Sequence, residues 1–228
     1  LPQPRAFNHC ILQFILNDST YWIDPTLNTQ VGVLKQYYVP TYHHALVIDG
    51  KDNGLTAIPF GIRSSMIDIE EEYIVKELGG DVTLKVKTKY AGDEADDTRS
   101  YRQSKSMEEI NKSYLNFYAT DFSDIRAAKS VYMIDDSINN TVTTYEEYII
   151  KNFWTYDKEG KKHTGSTYAG MLSNYLTKPS TKIRTMPLRI THPRRVYQTI
   201  RIRLPEQWNA EEHSTEIESE GFRYQSRS

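Results

Sequence analysis

His9 and Asp24 are the residues whose types and spacing best suit proton chemistry in this chain. A largely apolar run leads from His9 to Leu16, and Tyr21 to Ile23 form a second. The turn-forming pair Asn17-Asp18 lies between them, so the stretch reads as a β-hairpin. With Asn17-Asp18 as a two-residue loop, Ile11 faces Asp24 and His9 faces Thr26 across the ladder. His9 and Asp24 are then diagonal neighbours on one face, with Cβ atoms roughly 7 Å apart. A one-residue slip would send them to opposite faces, so the pairing depends on the turn. An aspartate accepting from one imidazole nitrogen sets the tautomer, and the other nitrogen can then take a proton from a thiol. Cys10 is excluded as that thiol by strand alternation. It is expected to be a buried apolar residue beside Leu12, Phe14 and Leu16. No cysteine precedes His9.

The surrounding segments sharpen this reading. Leu1-Pro2-Gln3-Pro4, Phe7-Asn8-His9 and Tyr21-Trp22-Ile23-Asp24-Pro25-Thr26, then Pro40-Thr41-Tyr42, Ala45-Leu46-Val47-Ile48-Asp49-Gly50 and Leu55-Thr56-Ala57-Ile58-Pro59, resemble the His and Asp segments and the tail of transglutaminase-like proteins. The likeness is to a bacterial exported group whose core is flanked by β-rich domains, and it covers about residues 1–60. It implies His9 as imidazole base, Asp24 as its orienting carboxylate, no cofactor, and a nucleophilic cysteine at a helix start well before the histidine. It further implies a periplasmic or otherwise exported location in a bacterium.

Composition narrows the alternatives. With 28 basic and 30 acidic residues, no global field points to nucleic acid. No apolar run approaches the length of a membrane span, and no signal-like segment opens the chain. One cysteine rules out an internal disulfide. His43 and His44 are adjacent and diverge on a strand, His163, His192 and His213 stand alone, and no cluster has zinc or calcium-loop spacing, so no metal site is expected.

Beyond Gly61 the texture changes. Ile67, Ile69, Tyr73 and Val75 open a strand, and Gly79-Gly80 makes a turn. Val82, Leu84, Val86, Thr88 and Tyr90 then alternate with Thr83, Lys85, Lys87 and Lys89, which predicts a hairpin with one wet face. The acidic cluster Asp93, Glu94, Asp96 and Asp97 precedes an expected polar strand around Thr98 to Gln103. Ser106-Met107-Glu108-Glu109 is a capping box for a helix to about Ala119. Strands are predicted at 128–134, 141–154, with Val142, Thr144, Glu146, Tyr148 and Ile150 on one face, and at 196–204. Asp157 to Lys161 reads as a hairpin loop, 168–176 as a short helix or turn, and 214–227 as two short strands. Segments 111–119 and 202–208 resemble, more weakly, the β-rich domain that follows the core in the same bacterial group. Glu70 to Glu72 and Glu146-Glu147 read as solvated. The basic stretch from Lys178 to Arg203 reads as a strand face balanced by acids elsewhere, and the tyrosines at 145, 148, 156, 168 and 175 as core and rim rather than a sugar-binding face.

The fold class is therefore α+β, mainly β: a truncated transglutaminase-like core sheet over 1–61, then a β-sandwich-like domain with one prominent helix over 62–228, ending before its last strands. The expected function is that of the C-terminal part of a thiol enzyme acting on protein or peptide amides, by acyl transfer or hydrolysis through a thioester. The chain itself would be inactive for want of its cysteine. A homodimer through the exposed core remnant is a further expectation. The rival reading is a non-catalytic interaction or scaffold module binding protein or glycan. A third is a complete relative that has lost its nucleophile.

Overall fold

The computed structural model describes residues 7–34, 37, 39–40, 42–50, 54–59, 65–175, 183, 185, 194–208, 212–219 and 222–227. The first hairpin forms as its sequence dictates. Strands β1 (Leu12–Leu16) and β2 (Ser19–Ile23) pair antiparallel with Leu16 opposite Ser19 and Leu12 opposite Ile23. Asn17 and Asp18 both take positive φ, 48° and 57°, the backbone of a two-residue hairpin loop that Asn and Asp tolerate. A second small hairpin joins β3 (His44–Leu46) to β4 (Leu55–Ala57).

The main unit is a six-stranded sheet. Strands β5 (Ser65–Val75) and β6 (Val82–Ala91) form its centre, with Ile67, Ile69, Tyr73, Val82, Leu84 and Val86 buried. Helices α1 (Asp93–Ser104) and α2 (Met107–Ala119) follow. The chain returns through β7 (Ile125–Ala127), β8 (Tyr132–Asp136) and β9 (Thr141–Ile150), which pairs with β6. A small hairpin of β10 (Thr155–Asp157) and β11 (Lys162–Thr164) and the short helix α3 (Gly170–Tyr175) come next. Strand β12 (Arg194–Arg203) then adds to β5 in parallel, and β13 (Ser214–Ser219) pairs with β14 (Phe222–Arg227). One face of the sheet is buried with Tyr118 and Phe122, while Lys85, Lys87 and Lys89 leave the other wet.

Among the described residues 44% lie in strands and 17% in helices, so the fold is mainly β. Two features correct the sequence reading. The second layer of the main unit is helical, so it is a sheet covered by helices rather than a sandwich. The stretch expected as a polar strand around 98–103 lies in α1. Its acids Asp93, Glu94 and Asp96 occupy the first turn, where the helix dipole favours negative charge. Its inward face is Ala95, Asp96, Thr98 and Arg99, a helical stripe with little apolar signal. The capping box of α2 forms in full: Ser106 Oγ accepts from Glu109 N–H at 3.2 Å, and Glu109 Oε2 accepts from Ser106 N–H at 2.9 Å.

Candidate active site

The register of the first hairpin brings His9 and Asp24 together. His9 Nε2 lies 2.7 Å from Asp24 Oδ2. Asp24 directly follows β2 and starts a tight turn, with Leu27 N–H donating to its carbonyl at 3.1 Å. Pro25 sits at the first corner of that turn, where its fixed φ is suited. Thr26 then points both its N–H (3.0 Å) and its Oγ1 (2.7 Å) at Asp24 Oδ1. Asp-Pro-Thr is therefore a device for clamping a carboxylate. The fourth donor is Tyr42 OH, 2.8 Å from Oδ2.

Four donors fill the lone-pair positions of an ionised carboxylate. Burial alone would push the Asp24 carboxyl up, but the hydrogen bonds from Thr26, Tyr42 and His9 more than offset it and bring it down to about 2. The covering is thin: the side chain is almost fully shielded by its own partners, while His9 stays one-third exposed. A fixed anion thus holds a reachable imidazole by Nε2, and Nδ1 is left as the nitrogen that can act as a base.

Tyr42 is the participant that reading the sequence missed. In the sequence it stands only within the Pro40-Thr41-Tyr42 segment, with no role implied. Tyr42 sits just before β3, and its ring stacks on the imidazole with centroids 5.3 Å apart and planes 28° off parallel. An aromatic at a strand entrance is usually packing, so residue type and position alone give no signal of this role. Tyr42→Phe keeps the stack and deletes one charge-assisted hydrogen bond, worth about 1.5–3 kcal/mol. A carbon-detected titration of Asp24 is expected to move upward in that variant, whereas an unchanged titration would show that the phenol is a bystander.

Cys10 corrects its expected place. It is exposed, because it precedes β1 in irregular chain and no layer covers that side of the ribbon among the described residues. Its sulfur makes no hydrogen bond to His9. Leu12, Ile15 and Leu16 on the same ribbon are exposed too, Ile15 at 72%.

Glu71 and Glu146, read as solvated, are buried. Their strands alternate onto the helix-covered face, and that alternation takes the carboxylates with it. The described part of the basic stretch behaves as read: Arg194 pairs with Glu94, Arg201 with Glu70 at 2.8 Å and Arg203 with Glu72 at 2.6 Å. Lys178, Lys182, Arg184, Arg189 and His192 lie outside the described residues, as do Leu1-Pro2-Gln3-Pro4 and Thr41. The tyrosines divide: Tyr148 is core, while Tyr145, Tyr156 and Tyr168 are exposed. Among the described residues no helix is long and apolar enough to cross a membrane, and no group of His, Cys, Asp and Glu is arranged to hold a metal. No family model matches the chain, and no match is found among curated proteins or among solved structures.

Proposed function

We propose that His9 and Asp24 are the base and the orienting carboxylate of a transglutaminase-like thiol enzyme acting on protein or peptide amides, with the attacking cysteine supplied from outside this chain. The thiol adds to the amide carbonyl as His9 Nδ1 takes its proton. The imidazolium then protonates the leaving amine, and a thioester remains. Water or a second amine attacks the thioester, His9 removes its proton, and the thiol is restored as hydrolysed or transferred product departs. Asp24 stays ionised throughout and steadies the imidazolium. The observation that carries this reading is the four-donor clamp on Asp24, which commits Nε2 and leaves Nδ1 basic. The apolar ribbon carrying Ile15, uncovered among the described residues, supports it, since such a surface calls for a further packed layer.

The test is amide hydrolysis and amine incorporation by the full-length gene product. His9→Ala is expected to lower turnover by at least about 10³-fold, and Cys10→Ser to leave it unchanged. Equal activity with and without His9, or loss on changing Cys10, would refute the assignment.

A binding role for the six-stranded unit has separate support. The wet face of the six-stranded sheet holds a hollow of about 330 Å³ lined by Glu70, Lys85, Lys87, Tyr145 and Arg201 among others. Tyr132 and Tyr145 are exposed beside each other, with ring centroids 6.1 Å apart.

A further inference from the structure

Three neighbouring strands set Glu71, Val86 and Glu146 in one row, since Glu71 pairs with Val86 and Val86 with Glu146. All three face the helices. Glu71 is 1% exposed and Glu146 7%, each standing within a buried alternation: Ile67, Ile69, Tyr73 and Val75 on β5, and Val142, Thr144, Tyr148 and Ile150 on β9. The partners are neutral. Tyr118 OH of α2 donates to Glu71 Oε1 at 2.8 Å, and Tyr148 OH donates to Glu146 Oε2 at 2.6 Å. Gln198 of β12 donates from Nε2 to Glu71 Oε2 at 3.2 Å and accepts from Leu172 N–H of α3 at 3.2 Å.

The remaining titratable groups around the row are Tyr73 of β5, Tyr90 of β6, Tyr114 of α2 and Asp121 just after α2. Neither α1 nor α3 sets a charge against either carboxyl. Among the described residues no lysine, arginine or histidine bonds to either one. Two buried carboxyls with no cation cannot both be charged cheaply.

We propose that this row is a proton-operated clasp on α2: the helix stays sealed on the sheet while one of the two carboxyls carries a proton, and loosens when both are ionised. Tyr118 is the coupling element, because it hangs from α2, holds Glu71, and lies with its ring centroid 5.4 Å from that of Tyr148, the partner of Glu146. Burial is the main cause that raises both carboxyls, Glu146 from an ordinary 4.5 to about 7. A raised acid contributes stability that is complete below the ordinary carboxylate range. That stability is lost as pH rises through the folded value.

The test is amide hydrogen exchange of residues 107–119 in the wild-type chain, corrected for intrinsic exchange, from pH 5 to 8. Opening of α2 is expected to grow roughly tenfold per pH unit up to about pH 7 and then level off. In Glu146→Gln the slope should vanish, and in Glu71→Gln it should shrink. A carbon-detected titration of the wild-type glutamate carboxyls needs no variant, and should show Glu146 titrating near neutrality. An ordinary acidic titration of Glu146 would overturn the proposal. So would α2 exchange with no slope over this range in wild type, or with the same slope in Glu146→Gln.

Discussion

Asp24→Asn is expected to reduce amide turnover in the full-length gene product by about 10⁴-fold in kcat, the scale seen when the orienting carboxylate of a catalytic imidazole becomes an amide. The geometry says why. Thr26 offers two donors to Oδ1, so the amide oxygen of asparagine takes that place. The amide nitrogen then falls where Oδ2 stood, against His9 Nε2 and Tyr42 OH. An N–H directed at Nε2 forces the imidazole proton onto Nδ1, and the nitrogen meant to act as base loses its lone pair. The wild-type clamp also has a defined acid limit. A carboxyl lowered to about 2 from an ordinary 3.8 contributes stability that is complete above its unfolded value and is lost as pH falls through about 2. The first hairpin and its turn should therefore hold across the neutral and mildly acidic range. Loss of the hairpin near pH 5, followed by proton chemical shifts, would contradict the assignment of donors.

Arg99→Met is expected to destabilise the six-stranded unit by about 3–5 kcal/mol, the cost of stripping one partner from a buried ionic network. Arg99 is buried in α1 and joins three elements. Its Nη1 donates to Asp96 Oδ1 at 2.9 Å and to Asn140 Oδ1 at 2.6 Å, and its Nε donates to both oxygens of Asp135 at 2.9 and 3.0 Å. Burial is what raises the Asp96 carboxyl to about 6, and Arg99 works against that rise. Without the guanidinium, Asp96 and Asn140 would be left inside with too few partners, and α1 would lose its tie to the turn after β8. A lowered urea midpoint with unchanged slope is the expected readout. A shift within about 0.5 kcal/mol, typical of a surface change, would show that the network is not structural.

The legible parts of the chain were those where local chemistry decides. Asn17-Asp18 accepts positive φ, so the loop length, the register and the His9–Asp24 contact follow from one another. Ser106 and Glu109 define the start of α2 by their own hydrogen bonds, and the lysines of β6 mark its wet face. What was illegible depends on partners distant in sequence. The inward face of α1 is built on Arg99 and Asp96, whose burial is licensed by Asp135 and Asn140 some 36–44 residues on, so no apolar period announced it. Glu71 and Glu146 stand in apolar alternations, and their burial follows from that position rather than from their charge, which by itself predicts exposure. Tyr42 reaches Asp24 from 18 residues further along the chain, a contact that no local pattern announces. The parallel addition of β12 to β5, across more than a hundred residues, has no local signal at all.

The most direct measurement is a proton–nitrogen correlation of the histidine side chains of this chain at a pH where imidazoles are neutral. His9 should carry its proton on Nε2, with Nδ1 bare, and Asp24→Asn should invert that pattern. A His9 ring averaging both tautomers like a free imidazole, or protonated on Nδ1 in the wild-type chain, would contradict the claim that Asp24 prepares it as a base.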